Sequence, residues 1–157
     1  MDVVRESQPL PVRRGHHLLL PDHHRRLDAR CQALIAQVQH GDPAAFAAPW
    51  RRLEAEILEH MAAEEDVLVP TYTVSAPEDA QRILQDHLRI RQLLVMTGAA
   101  MGARETCRAC LRELVAVLAA HAAHEDKLMY PWAQRHLPHL VQRSLFARFV
   151  RLWFDRG

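Results

Sequence analysis

Apolar residues recur every three or four positions in four stretches of this chain, which is the spacing of one face of an α-helix. In the first stretch the stripe consists of His24, Leu27, Cys31, Leu34 and Val38. Breakers rich in glycine and proline separate the stretches. The predicted helices run from Pro21 to Gly41, from Pro49 to Pro70, from Ser75 to Gly98 and from Cys107 to Pro131.

Two of these predicted helices have start signals. Pro49 suits the first turn of a helix, where the backbone N–H has no partner within the helix. Ser75 and Glu78 have the spacing of a capping box, in which each side chain accepts a hydrogen bond from the backbone N–H of the other residue. We therefore expect the second and third helices to begin at Pro49 and Ser75.

Four helices of about twenty residues with short connections predict an all-α fold, an up-down-up-down four-helix bundle. A shorter amphipathic segment from Leu140 to Phe154 predicts an additional C-terminal helix. We accordingly divide the chain into a flexible N-terminal arm at residues 1–19, the bundle at residues 20–139 and the C-terminal helix at residues 140–157.

Composition limits the function classes. A chain of 157 residues that is 49% hydrophobic can bury the core of one domain. Its net charge of +1 lacks the broad positive field of a non-specific nucleic-acid binder. No apolar run approaches the ~20 residues of a membrane span, and residues 1–15 contain no run of signal-peptide length. We therefore expect a cytoplasmic protein with no membrane span and no nucleic-acid partner.

Histidine is in excess, with eleven in the chain, and four of them are regularly placed. If His24, His60, His87 and His121 lie at one level of an antiparallel bundle, each connection falls midway between consecutive histidines. The midpoints fall at positions 42, 73–74 and 104, on or beside the breakers. We therefore expect one imidazole from each long helix to point inward in a single layer.

One motif occurs twice. The pattern H-x3-E-x5-P covers His60, Glu64 and Pro70, and again His121, Glu125 and Pro131. The i,i+4 spacing places the His and Glu of each copy on the same helix face, about one turn (~5.4 Å) apart. Each copy follows a helix that carries His-x2-[LI], at His24 and at His87. The chain therefore contains two copies of one longer pattern.

A bundle interior that holds four imidazoles and two carboxylates needs compensation, because burying polar and charged groups without partners costs several kcal/mol each. Two divalent cations that share the carboxylates as bridges remove this cost. Four nitrogen and four oxygen ligand atoms suit Fe(II) or Mn(II) better than Zn(II), which usually takes four ligands. The predicted metal ligands are His24, His60, Glu64, His87, His121 and Glu125.

With both preceding histidines, the doubled motif resembles the hemerythrin, or HHE cation-binding, family of non-heme diiron four-helix bundles over about residues 20–131. The resemblance implies two iron ions joined by an oxo or hydroxo group, with manganese as the alternative metal. It also implies that the four histidines are terminal ligands, two on each iron, and that Glu64 and Glu125 bridge the two ions.

The chain departs from the oxygen-carrying hemerythrins at two positions. Their third helix carries a second ligand histidine where this chain has Arg91, and Glu125 and Asp126 compete for the role of their Asp ligand. The set of four His and two Glu is more similar to iron-centre repair proteins of nitrosative stress and to the iron-sensing hemerythrin-like domain of an F-box protein. We expect O2, NO or peroxide binding in a redox or nitrosative-stress response or in iron handling. The alternative is an iron-responsive, non-catalytic regulatory module that binds a protein partner.

Alternatives remain at two ligand positions. His23 competes with His24, which is preferred because it shares the apolar stripe of its helix; Asp126 competes with Glu125, whose spacing repeats that of the first motif. His124 lies either just outside the ligands or, as we favour, on the solvent side. The remaining histidines are predicted at the surface: His16, His17, His40, His136 and His139.

Cys107 and Cys110 form a C-x2-C pattern, but at ~1.5 Å per residue they lie about 16–21 Å along the helix from His121. We therefore predict core positions for them, and for Cys31, in preference to a redox or zinc site. The C-terminal helix is rich in arginine and aromatic residues. We expect it to pack on its own bundle or in a homodimer in preference to a membrane surface or another protein.

Overall fold

The computed structural model of this chain describes residues 19–40 and 43–154. These residues form seven α-helices and one 3₁₀ turn, with no strand among them. The helices are α1 (Leu19–His40), α2 (Pro43–Val67), α3 (Val69–Ser75), α4 (Pro77–Ala99), α5 (Arg104–Lys127), α6 (Met129–His136) and α7 (His139–Phe154), and the turn Ala100–Gly102 precedes α5. The all-α prediction is confirmed for this part of the chain. None of its helices is long and apolar enough to cross a membrane.

Some predictions concern residues outside the described part of the chain. The N-terminal arm predicted at residues 1–19 lies outside the described residues except for Leu19, and so do His16 and His17. The side chain of His40 is likewise outside the described part. The division of the chain at residues 139 and 140 stays a prediction.

Helix α2 begins at Pro43, so the predicted start near Pro49 is wrong. Pro43 already supplies a first residue that needs no backbone N–H. Pro49 then lies inside the helix, where a proline removes one backbone hydrogen bond at a usual cost of ~3 kcal/mol. Phe46 and Trp50 on either side of it are both buried, and their ring centroids lie 6.1 Å apart. Because both rings are buried, the part of α2 around Pro49 packs against the core.

The capping box predicted at Ser75 does not form. Ser75 ends the short helix α3, and Ala76 precedes α4 without a side-chain hydrogen bond to cap the helix. The cause is Pro77, whose ring disfavours helical backbone at the residue before it. Ala76 accordingly has φ −146° and ψ 68°. Proline in the first turn starts α4 in place of the predicted cap.

Both motif prolines break the long helices earlier than predicted. Pro70 has no N–H to donate to the carbonyl four residues before it, and α2 gives way to α3 at Leu68. Pro131 lies in the first turn of α6, and α5 gives way to α6 at Leu128. The backbone N–H of Leu68 still donates to the carbonyl of Glu64 (2.8 Å). Each motif thus places its glutamate one turn before a helix break.

The long helices α1, α2, α4 and α5 pack around a shared interior, in which α1 contacts α2 and α5, and α4 contacts the same two helices. Buried apolar residues form two clusters. The upper core includes Leu34, Trp50, Leu94 and Leu111, and the lower core includes Leu68, Ile83, Met129 and Leu145. Along α2 and α4, and from α5 into α6, the change from one core to the other falls at the predicted ligand positions. The polar layer therefore lies between two apolar cores.

The predicted C-terminal helix is confirmed as α7, which packs on α2 and α1. Leu145 and Phe149 are buried, and Phe149 belongs to the lower core. The Phe149 ring stacks on His23 (5.0 Å between centroids) and on His60 (4.9 Å). An ion pair between Arg148 and Asp66 (2.9 Å) flanks this contact. The apolar face of α7 is thus used within the chain itself.

We expect the substitution Phe149→Ala to destabilise the metal-free protein by ~3–5 kcal/mol, because it removes a fully buried ring from the lower core. Urea denaturation followed by circular dichroism measures this change. Leu140→Ala, at a position on the same helix that is 77% exposed, is the control and is expected to change stability by less than ~0.5 kcal/mol. Equal effects of the two substitutions would contradict the packing of α7.

Candidate metal centre

The structure brings the six predicted ligand residues into one layer. Each of the four long helices contributes one histidine, and α2 and α5 each add a glutamate. The members of this ligand layer are His24, His60, Glu64, His87, His121 and Glu125, and all six are buried. The Nε2 atoms of His24 and His60 lie 3.2 Å apart, and those of His87 and His121 lie 3.1 Å apart.

The layer divides into two groups of four that share both carboxylates. The first group is His24, His60, Glu64 and Glu125, and the second group is Glu64, His87, His121 and Glu125. Glu64 directs Oε1 at His60 (3.2 Å) and Oε2 at His87 (3.5 Å). Glu125 directs Oε2 at His24 (3.3 Å) and Oε1 at His121 (3.2 Å). Each carboxylate therefore offers one oxygen to each group, as a bridging ligand does.

These distances fit a metal ion in each group. Ligand atoms bound at ~2.1 Å and at right angles lie about 3 Å apart, close to the separations of 3.1–3.5 Å in the layer. Three buried carboxylate oxygens, Oε2 of Glu64 and both of Glu125, accept no hydrogen bond. A cation is the partner that such oxygens lack.

The charges of the layer point the same way. Burial raises the pKa of Glu64, as does the charge of Glu125, but the imidazoles of His60 and His87 together lower this pKa to about 2. Burial lowers the pKa of His24, whereas its hydrogen bond to Asp126 and its close contact with the Glu125 carboxylate raise it to about 10. The carboxylates are therefore anionic and draw positive charge into the layer. Metal cations supply that charge while binding neutral rings.

A second pair of carboxylates orients two of the histidines. His24 donates from Nδ1 to Asp126 (3.0 Å), and His87 donates from Nδ1 to Glu65 (2.8 Å). In the neutral ring that binds a metal, a donor role at Nδ1 leaves Nε2 with a lone pair that faces the layer, which is the usual arrangement of a ligand histidine and its carboxylate. Asp126 thus contacts His24 from outside both groups. Arg91 donates to Glu65 (2.9 Å) and supports it.

The structure separates the alternative histidines from the layer. His24 belongs to the first group, while His23 lies outside both groups, buried against the rings of His60 (4.7 Å) and Phe149 (5.0 Å). Burial lowers the pKa of His23 to about 2, so it packs as a neutral ring. His124 contacts Asp79 (2.7 Å) away from the layer. His136 and His139 are exposed, as predicted.

Sequence reasoning missed Tyr130. It is buried, its hydroxyl donates to Glu64, and the same oxygen lies 3.2 Å from Nε2 of His24. Burial, with the charges of Glu64 and Glu125, holds its pKa well above 10. The sequence feature that could have identified Tyr130 is its position directly before Pro131 of the second motif. Glu65 was also missed, although an acidic residue follows the glutamate in both motifs.

A cavity of about 40 Å³ reaches the layer from the upper core. Its polar walls include His24, His60 and His121, and its apolar walls include Leu27 and Ile57. Cys31 also lines it, and burial raises the pKa of this thiol to about 12, so the wall there is neutral. The cavity thus places mainly apolar side chains beside three histidines of the layer.

The other two cysteines do not line this cavity. Cys107 is buried in the upper core and Cys110 is half-buried. All three cysteines of the chain are free thiols, and neither group of ligands includes one. The core position predicted for Cys107 is confirmed.

Comparison with known proteins gives one match. The family model of the hemerythrin HHE cation binding domain matches residues 18–133. No curated protein and no solved structure matches the chain significantly. The matched range contains the whole ligand layer, together with Glu65, Asp126 and Tyr130.

We expect Asp126→Ala and Glu65→Ala each to weaken metal binding about 10–100-fold, because each removes the carboxylate that orients a ligand histidine. Anaerobic titration with Fe(II) measures this loss. The matched control is Asp66→Ala, which removes the neighbouring carboxylate that pairs with Arg148 at the surface. The role assigned to the orienting carboxylates is wrong if all three variants bind Fe(II) as tightly as the parent chain.

Proposed function

Because this chain belongs to the hemerythrin HHE cation-binding domain family, we propose that its ligand layer holds two iron ions and binds O2, NO or peroxide. Manganese is the alternative metal. The observation that carries the proposal is the pair of groups that share both carboxylates, which suits two adjacent ions. We assign His24 and His60 to the first ion, His87 and His121 to the second, and Glu64 and Glu125 to both.

We also propose that the four long helices form an up-down-up-down bundle. In support, His24 near the start of α1 contacts His60 near the end of α2 and Asp126 near the end of α5. Contacts between the start of one helix and the end of its neighbour are those of antiparallel helices. The bundle then places the proposed ligands of all four long helices at one level.

When bound, two ferrous ions would supply electrons and coordination positions for a small ligand. Glu64 and Glu125 would hold both ions, while Asp126 and Glu65 keep two imidazoles in place. Leu27 and Ile57 line an apolar approach that favours uncharged diatomic molecules over water and anions.

One contact favours the regulatory alternative as a second candidate. Phe149 of α7 stacks on the imidazole of His60, so the C-terminal helix touches a proposed ligand. Loss of metal would free that ring and loosen α7. Consumption of O2 or NO by the iron-loaded protein supports the first function. Metal-dependent hydrogen-exchange protection of α7 without such consumption supports the second.

We predict about two iron ions per chain, and a loss of half of this iron or more in His60→Ala or His121→Ala, because each removes a terminal ligand. Elemental analysis of protein purified without oxygen measures the content. His139→Ala, which removes an exposed histidine, should keep full loading. A double variant of His60 and His121 that keeps its full iron would contradict the assignment.

We predict that the protein is not a reversible oxygen carrier. Arg91 stands where the carriers have a further ligand histidine, and its guanidinium stays protonated and pairs with Glu65. Two imidazoles per ion and two shared carboxylates then leave positions open on both ions. After the reduced protein is mixed with O2, its optical spectrum should change promptly and stay changed when O2 is removed. Repeated recovery of the original spectrum would show reversible carriage.

A further inference from the structure

The two copies of the internal pattern differ at the residue before the motif proline. The first copy has Val69 before Pro70, and the second has Tyr130 before Pro131. Both residues are buried in the lower core. Valine offers no polar atom to the ligand layer, whereas the hydroxyl of Tyr130 touches it. The duplicated site is therefore unsymmetrical in its donor atoms.

The position of the Tyr130 hydroxyl oxygen, Oη, is that of a ligand atom. It lies 3.2 Å from Nε2 of His24, and the same nitrogen lies 3.2 Å from Nε2 of His60. It also contacts Oε1 of Glu64, the oxygen that faces His60 at 3.2 Å. Oη thus lies as far from Nε2 of His24 as another member of the first group does, and it contacts a second member directly.

The chain holds this oxygen firmly. The break at Leu128 starts α6, whose first turn carries Tyr130 under the layer. The Tyr130 ring stacks on the ring of His24, with centroids 5.3 Å apart and planes 16° apart. The side chain is 1% exposed, so a water molecule has little room to replace it.

We propose that Tyr130 Oη is a fifth protein ligand of the ion bound by His24 and His60, as a phenolate when that ion is ferric. The inference rests on the proposed diiron function. In the binding step the Oη–H bond breaks, an oxygen–iron bond forms and the proton passes to the buffer. No electron moves in this step.

An anionic oxygen donor on one ion makes the two ions chemically different. Hard oxygen ligands favour ferric over ferrous iron, so the first ion keeps its oxidised state more strongly. The second ion, bound by His87 and His121, lacks this donor. The protein then has one ion with a built-in preference for the ferric state.

The chain offers a matched control, because Tyr72 and Tyr130 are its only two tyrosines. The hydroxyl of Tyr72 donates to Asp79, outside the ligand layer. We would load the parent chain, Tyr130→Phe and Tyr72→Phe with Fe(II) under nitrogen, oxidise them in air, and measure iron content, visible absorption and resonance Raman spectra. A phenolate on ferric iron gives an intense visible charge-transfer band with enhanced phenolate ring vibrations.

We expect the band in the parent chain and in Tyr72→Phe, and its loss in Tyr130→Phe at an iron content of about two per chain. If Tyr130→Phe does not fold, retention of the band in Tyr72→Phe still assigns it to the other tyrosine. About two irons in the parent chain without phenolate vibrations would overturn the ligand role of Tyr130 and leave the diiron function standing. Absence of bound iron in the parent chain would overturn the proposed function itself.

Discussion

The burial of two carboxylates side by side is the constraint on which the rest of this structure depends. Glu64 and Glu125 are completely buried, and each lies within ion-pair distance of imidazoles from more than one helix. A buried anion without compensation costs several kcal/mol, so the fold must gather positive charge around the pair. Four histidines converge on them for this reason, and the apolar cores divide at their level.

Each half of the duplicated pattern supplies residues that complete the site of the other half. His24 of the first half is oriented by Asp126 of the second, and His87 of the second half is oriented by Glu65 of the first. Each carboxylate likewise serves histidines of both halves. Neither half therefore makes a complete group alone. Metal binding at such a site is linked to assembly of all four long helices, because the ligands converge only in the folded chain.

Local spacing in the sequence was enough to predict the ligand layer, because i,i+4 pairs on helices fix which side chains share a face. It was not enough at positions whose structure depends on contacts outside the helical pattern. The burial of Phe46 and Trp50 stabilises helix α2 on both sides of Pro49. Pro77 prevents the capping box that the sequence predicts at Ser75. Tyr130 and Glu65 reach the layer through helix breaks and neighbouring helices, which no single-helix pattern encodes.

The two groups of the ligand layer differ more in the residues around them than in the ligands themselves. The first group has Tyr130 on the side of the lower core, and the cavity on the side of the upper core is lined by its two histidines and by His121 of the second group. The second group is supported by Glu65, which contacts His87, and by Arg91, which pairs with Glu65. With Tyr130 as a ligand, the first ion of the proposed site would have the stronger preference for the ferric state. Under the proposed function, the duplicated pattern therefore fixes where the ions would be held, and the differences between the halves would set how each ion reacts.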